Sequence, residues 1–347
     1  MKQPPIKPSE RGLGGEISPY VNMDKHYLVT GGCGFIGSNF INKHFMLYPD
    51  SYIVNLDALY IPESIHHIHP IVSESSRYVF VEGSICDYDL VMHILKTYEI
   101  DVVIHFAGRD TVPDPTRDSW RYIQDNIVGT HTLLEACKAY DMLDSFIHVS
   151  TDKVYGESSS QPKEQWVLCP TTPYAASKAS AELLVTSYFQ TFKLPIMIIR
   201  VGNVYGLHQP SEKIIPKFIK LLRDNKKLTV YGDGKKFRTY SHVYDVTNAI
   251  DFIISKGVIG DTYQLDNKKE ECTILDIAKG LVLLMVNVNL ETPQDFSPYL
   301  EFVEVDERPH PPDNRYYASN DKLTELGWVP EIPFIEGIVE MIKKETK

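Results

Sequence analysis

The segment Gly31-Gly32-Cys33-Gly34-Phe35-Ile36-Gly37, set directly behind the apolar run Tyr27–Thr30, constrains this chain more than any other feature. It satisfies both a Gly-x-Gly-x-x-Gly and a Gly-x-x-Gly-x-x-Gly spacing. Glycines so placed allow a tight turn from strand to helix and let the backbone approach a pyrophosphate, which then sits at the helix N-terminus. Glycine clusters alone are weak evidence. Here the next apolar run, Tyr52–Leu56, ends in Asp57, twenty positions after Gly37, where a carboxylate would hydrogen-bond a ribose 2′-hydroxyl and repel a 2′-phosphate. The combination predicts NAD, not NADP, as cofactor, against the simpler alternative of a glycine turn followed by an accidental surface aspartate.

From His26 onward, short apolar runs alternate with longer amphipathic segments, the rhythm of parallel strands joined by helices. Strands are expected at Tyr27–Thr30, Tyr52–Leu56, Tyr78–Val81, Val102–Phe106, Phe146–Ser150 and Pro195–Val201. Several are continuously apolar, as a sheet covered on both faces requires. Helices are expected at Ser119–Ala139, with Ile123, Ile127, Leu133, Leu134 and Ala136 apolar, and at Tyr174–Phe192. The predicted fold is α/β: a Rossmann-type doubly wound parallel sheet with a smaller C-terminal α/β substrate-binding region. Residues 25–205 would form the NAD-binding domain, with 238–255 returning to it, and 206–347 would mainly bind substrate. Residues 1–24 carry prolines and glycines without apolar periodicity and are expected to be a mobile extension.

Across 347 residues, Lys+Arg 35 against Asp+Glu 46 leaves a net charge of −11, the wrong sign for tracking a nucleic-acid backbone. An anionic small substrate is still possible, because a few Arg and Lys in one cleft can override the global sign. Cys33, Cys86, Cys137, Cys169 and Cys272 show no disulfide or zinc spacing. A reducing, cytoplasmic setting without a bound metal is therefore expected. The longest apolar stretch, Gly280–Leu290, is too short to cross a bilayer, and no membrane partner is expected.

Chemistry-bearing residues gather in two places. Tyr174-Ala175-Ala176-Ser177-Lys178 puts a phenol and an ammonium one helical turn apart. A phenol is a poor base at neutral pH, but a neighbouring ammonium stabilises the phenolate. Upstream, Val149-Ser150-Thr151-Asp152-Lys153-Val154-Tyr155-Gly156 follows an expected strand at its carboxyl end, where open α/β sheets bind ligands. Taken singly, it reads better as a polar strand exit.

With these motifs the chain, from about residue 26 to residue 340, resembles the extended short-chain dehydrogenase/reductases, and most closely the nucleotide-sugar 4,6-dehydratases of the dTDP-glucose type. The marks are the glycine turn, His105-Phe106-Ala107, Asn126 with Gly129-Thr130, Ser150–Gly156, Pro173–Lys178 and Asn203-Val204-Tyr205-Gly206. Further along stand Glu212–Lys217, Val230–Gly234, Arg308-Pro309 and Asp313–Tyr316. The resemblance implies an internal redox cycle on an NDP-glucose. Tyr174 would take the 4-hydroxyl proton while hydride passes from C4 to NAD; water would leave across C5 and C6, and the hydride would return to C6. Thr151 would bond the 4-oxygen, Asp152 would protonate the departing 6-hydroxyl, and Lys178 would also hold the nicotinamide ribose. Gly31, Gly34, Phe35, Ile36, Gly37, Asp57, Ser84, Ile85, Phe106, Ala107, Gly108 and Asn126 would line the cofactor with Tyr174 and Lys178. Asn203, Lys213 and Lys217 would lie near the nucleotide, and Arg238 and Arg308 would pair with its diphosphate. The resemblance also implies a homodimer formed through the helices carrying Thr130–Ala139 and Tyr174–Phe192.

Three departures from the family pattern stand out. Lys153 takes the place of the glutamate that usually removes the C5 proton, a task that a lysine performs only when neutral. Gly108–Asp114 differs from the usual hexose-pocket run, and Pro311 and Pro312 extend the Arg308-Pro309 segment. Two alternatives therefore stay open: a 4-epimerase or decarboxylase on the same scaffold, and a cofactor-binding protein without turnover.

Overall fold

The computed structural model describes residues 23–110, 118–156, 161–267, 271–286, 295–304 and 318–344. Most of the expected N-terminal extension and Arg308 lie outside them.

Strands β1 (His26–Thr30), β2 (Tyr52–Asp57), β3 (Tyr78–Glu82), β4 (Val102–His105), β5 (Ser145–Thr151), β6 (Ile196–Val201) and β7 (Thr262–Leu265) form one seven-stranded sheet in the order β7-β6-β5-β4-β1-β2-β3. β1 pairs in parallel with β2 and β4, β2 with β3, and β4 with β5. This is the doubly wound order, with its switch point where β1 meets β4. Every residue of β4, β5 and β6 is buried, which is why these segments are mainly apolar, with His105, His148 and Arg200 among the buried polar exceptions.

Register explains the core. Leu28 stands opposite Val54 and Val103, and Val103 opposite Phe146, so one row crosses four strands. Leu133, Leu134 and Cys137 of the helix Gly129–Tyr140 cover that row, with Val185 and Tyr188 of the helix Pro173–Phe192. Each fully buried aliphatic side chain contributes about 1.5–3 kcal/mol. The helix Phe35–Leu47 is tied to Val243–Lys256 through Asp251, which accepts from His44 at 2.7 Å and Lys43 at 3.3 Å.

Three expectations need correction. A seventh strand, β7, follows the six read from sequence. The expected helix Ser119–Ala139 is broken by a wide π-helical turn, Ile123–Val128, before Gly129–Tyr140. The Thr130 hydroxyl donates to the Asn126 carbonyl at 2.6 Å, one turn back along the helix. β4 also ends at His105, one residue earlier than expected.

The chain divides into two compact units. The first holds the chain through Ser150, then Ser177–Ile199 and Ala249–Thr262; the second holds Thr151–Ala176, Arg200–Asn248 and the chain from Tyr263 onward. The second has its own core, in which Ile215, Phe218 and Ile219 of the helix Ile214–Arg223 meet Ile277, Leu281 and Val282 of the helix Ile274–Met285. Beside them, Leu228–Tyr231 pairs in parallel with Leu300–Val303.

Candidate active site

The glycine turn leaves β1 at Gly31, whose φ of +70° suits a residue without a side chain. A Cβ there would lie 2.7 Å from the backbone of Ala107. At Gly37 it would lie 2.4 Å from the Gly31 carbonyl, so the helix Phe35–Leu47 starts hard against the strand end. Gly34 begins that helix without a side-chain cap, which leaves its first amides to serve an anion. Asp57 accepts from the Cys33 amide and from the Leu59 amide, each at 2.9 Å, and is thereby fixed beside the turn. This cradle, which a Cβ would fill, fits a dinucleotide pyrophosphate, with a carboxylate placed for the adenosine ribose.

The other residues expected to line the cofactor leave the carboxyl ends of the neighbouring strands. Phe106 and Ala107 donate to the Thr30 carbonyl at 3.0 Å and the Thr30 hydroxyl at 3.3 Å. Ser84 accepts from Cys86 at 3.1 Å, and Ile85 is buried where a Cβ on Gly129 would come within 2.6 Å of it. Gly108 faces the Asn126 amide, to which a Cβ would come within 3.0 Å. That amide is engaged by its own chain: it accepts from the Arg109 amide at 2.6 Å and donates to the Arg109 carbonyl at 3.0 Å and to Ser177 at 2.8 Å.

Lys178 is buried and donates to the Val149 carbonyl at 2.8 Å. Burial pushes its pKa down to about 8, while the Glu182 carboxylate acts to raise it. Nearby His105 bridges the hydroxyls of Thr30 and Thr130 at 2.8 and 2.9 Å, and its pKa is pushed down to about 3 by burial, then by Lys178. His148 is also driven neutral by burial, and neither ring nitrogen has a hydrogen-bond partner. The amine is thus the one cation of this buried group, with two neutral imidazoles as company.

In the second unit, Thr151 ends β5 and starts a tight turn over Asp152–Tyr155. Its hydroxyl donates to Asp152 at 3.1 Å and accepts from the Lys153 amide at 3.3 Å. Asp152 is buried, and burial raises its pKa against the lowering effects of Lys153, Thr151 and Arg238. Lys153 is exposed, with its ammonium 5.8 Å from the centroid of the Tyr174 ring. Thr151 and Asp152 are thus bonded to one another, and Lys153 stands beside Tyr174.

Sequence reasoning missed Asp266. Its carboxylate accepts from the amides of Asn267 at 2.8 Å and Ala318 at 2.9 Å, and burial, then Asp152, pushes its pKa up to about 7. A lone aspartate in Leu265-Asp266-Asn267 carries no signal for this; only the folded chain gives it a carboxylate for company. Asn203 donates to the Thr239 carbonyl at 3.2 Å, immediately after Arg238. Lys213 and Lys217 stand one turn apart at the start of the helix Ile214–Arg223, with Lys217 exposed.

A family model described as GDP-mannose 4,6 dehydratase matches residues 28–341. The dTDP-D-glucose 4,6-dehydratase of Mus musculus is 39% identical over 332 residues, which are 94% of this chain and 90% of that protein. A trifunctional UDP-glucose 4,6-dehydratase/UDP-4-keto-6-deoxy-D-glucose 3,5-epimerase/UDP-4-keto-L-rhamnose-reductase of Arabidopsis thaliana is also 39% identical over 90% of this chain, which spans about half, 46%, of its length. The crystal structure of dTDP-glucose 4,6-dehydratase from Bacillus anthracis in complex with NAD superposes with a TM-score of 0.80 at 32% identity, covering 92% of this chain and 96% of that one. A glycine cradle with its aspartate, a Tyr–Lys helix and a buried Thr–Asp turn, together with a family match over nearly the whole length, place this chain in the nucleotide-sugar 4,6-dehydratase family of extended short-chain dehydrogenase/reductases.

Proposed function

We propose that this chain is an NAD-dependent hydro-lyase that converts an NDP-glucose into the NDP-4-keto-6-deoxyglucose. The observation that carries the reading is Asp152, a buried carboxyl bonded by Thr151 that keeps its proton to higher pH than an exposed aspartate. Elimination across C5 and C6 needs an acid for the departing hydroxyl; a 4-epimerisation breaks no C–O bond and needs none.

When bound, NAD supplies the hydride chemistry, oxidising C4 and later reducing C6 with no net consumption. Gly31, Gly34, Phe35, Ile36 and Gly37 hold its pyrophosphate, Asp57 its adenosine ribose, and Ser84, Ile85, Phe106, Ala107, Gly108 and Asn126 line the rest. Tyr174 takes the proton of the 4-hydroxyl, and the Lys178 ammonium one turn away stabilises the phenolate that accepts it. Thr151 bonds the 4-oxygen. The C4 ketone acidifies C5, from which Lys153, in its neutral form, removes the proton and later returns it. Asp152 delivers its proton to the 6-oxygen, and water leaves. Asn203, Lys213 and Lys217 serve the nucleotide, while Arg238, with Arg308, offers planar donor forks to the diphosphate. The exposed Lys153, standing where the family has a glutamate, favours a second reading, a 4-epimerase or decarboxylase, because neither reaction needs that base at C5.

Two copies would associate through the helices Gly129–Tyr140 and Pro173–Phe192. A reducing cytoplasm suits the five free cysteines, and among the described residues no helix is long and apolar enough to cross a membrane. The test is to incubate the purified chain with UDP-, dTDP-, CDP- and GDP-glucose and weigh the products. Loss of water is expected. Unchanged mass with altered configuration would make it an epimerase, and NADH binding without conversion would make it a binding protein.

A further inference from the structure

Three side chains from three segments close on one another at the carboxyl edge of the sheet. Tyr60 lies on the segment leaving β2, Arg109 on the segment leaving β4, and Asp125 in the turn Ile123–Val128. The Arg109 Nε donates to Asp125 Oδ2 at 2.6 Å, and the Tyr60 hydroxyl donates to Asp125 Oδ1 at 3.1 Å. The guanidinium carbon lies 4.0 Å from the Tyr60 ring centroid. Burial, then Asp125, raises the Tyr60 pKa, so the phenol stays a donor. The Arg109 and Asp125 side chains are only 14% and 12% exposed, so this ion pair is sheltered from the solvent that makes surface pairs weak. Asn126 grips the Arg109 backbone from both sides.

β2 and β4 are the two neighbours of β1 in the sheet. Close to the strand ends, the glycine turn touches both exiting segments: Cys33 meets Asp57, and Gly31 packs on Ala107. Tyr60 and Arg109 meet again farther out along the same two segments, past the glycine turn. The contacts form a ring, the inner side made by the turn and the outer side by Tyr60, Arg109 and Asp125. A pyrophosphate seated on the glycine turn would then lie between the inner and the outer contacts.

We infer that Tyr60, Arg109 and Asp125 form a strap across the pyrophosphate of the bound dinucleotide, which must open for the cofactor to enter or leave. The inference rests on the NAD reading above. It suits a reaction in which the hydride taken from C4 must be given back to C6 of the same sugar, because escape of NADH between the two steps would strand a ketone. Arg109 is then a cofactor-retaining residue, one that never touches the sugar.

Entry and release of NADH can be timed in the full chain by stopped-flow fluorescence, with excess NAD as the chase. Removing a strap frees both directions, so Arg109→Ala should raise the entry and release rates each by about tenfold while the dissociation constant changes much less. Tyr60→Leu and Asp125→Asn should do the same in part, and Arg109→Lys, which keeps the charge but loses the fork and the stack, should fall between. Should Arg109→Ala unfold, the Asp125→Asn and Tyr60→Leu proteins decide the matter. Release that quickens with entry unchanged would make Arg109 an ordinary contact and overturn the strap, as would rates equal to those of the unaltered chain. Failure of the unaltered chain to take up NADH would instead overturn the cofactor reading, and the strap with it.

Discussion

A lysine enclosed in a protein interior loses the solvation that its charge needs, and Lys178, pushed down from 10.5 to about 8, carries that cost in the folded state. Between those values the unfolded chain binds more protons than the folded one, so folding is favoured as pH rises through the window. Lys178→Met should therefore melt above the unaltered chain near neutrality, with the gain shrinking toward about pH 10, while dehydration is lost. Thermal unfolding across pH checks this, and a pH-independent gain would contradict it. Asp266 runs the opposite way: its pKa rises from 3.8 to about 7, so the folded state binds the extra proton and loses relative stability as pH climbs through that range. Asp266→Asn should raise the melting temperature more at about pH 8 than at about pH 5. Little of this was legible in the sequence. Tyr174, Lys178, Thr151 and Asp152 announced themselves through spacing, because neighbours along a helix or turn are neighbours in space. Asp266, Tyr60 and Asp125 meet their partners only once distant segments are brought together.

At the scale of elements, the six strands from β1 to β6 were readable because burial on both faces favours apolar residues, even where a polar one such as Asn55, His148 or Arg200 interrupts them. β7 escaped because Thr262, Gln264 and the aspartates at either side interrupt its apolar pattern, although Tyr263, Gln264 and Leu265 are all buried. The π-helical turn was invisible for another reason: hydrophobic period does not record a local widening of the helix. The glycine turn was the most legible element, since its sequence and its geometry state one constraint. Gly31→Ala places a side chain at φ +70° and within 2.7 Å of Ala107 backbone. Strain and overlap together should cost about 2–4 kcal/mol of stability, and NADH affinity should fall by about tenfold or more. Gly232→Ala serves as the comparison. Its φ is +61°, but nothing among the described residues lies within 4 Å of the added carbon, so only the backbone strain of about 1 kcal/mol should appear in urea unfolding. Equal costs at the two positions would mean that close packing under the turn contributes nothing.

For the whole molecule, what remains is how two copies would meet. The helices Gly129–Tyr140 and Pro173–Phe192 lie side by side in the first unit, joined by the Tyr188 hydroxyl on Glu135 and by Lys138, whose ammonium stands 4.8 Å from the Phe192 ring centroid. Their inward residues are spent on the core, yet Leu183 is 65% exposed and Phe192 51%, and Val128, just before Gly129, is 40% exposed. Single exposed apolar residues need no explanation; in the dimer proposed above, Leu183 on the second helix and Val128 just before the first would be covered by the other copy. A two-fold axis through such a pair repeats each contact, so every residue there acts twice. Burying Leu183 would then contribute about 1–2 kcal/mol per copy, and Leu183→Glu would replace both contributions with two carboxylates in an apolar contact. Sedimentation should find the unaltered chain as a dimer and the Leu183→Glu chain shifted toward monomer, with its own melting little changed because the side chain supports no core. A monomeric unaltered chain, or a Leu183→Glu dimer of undiminished affinity, would place the association elsewhere.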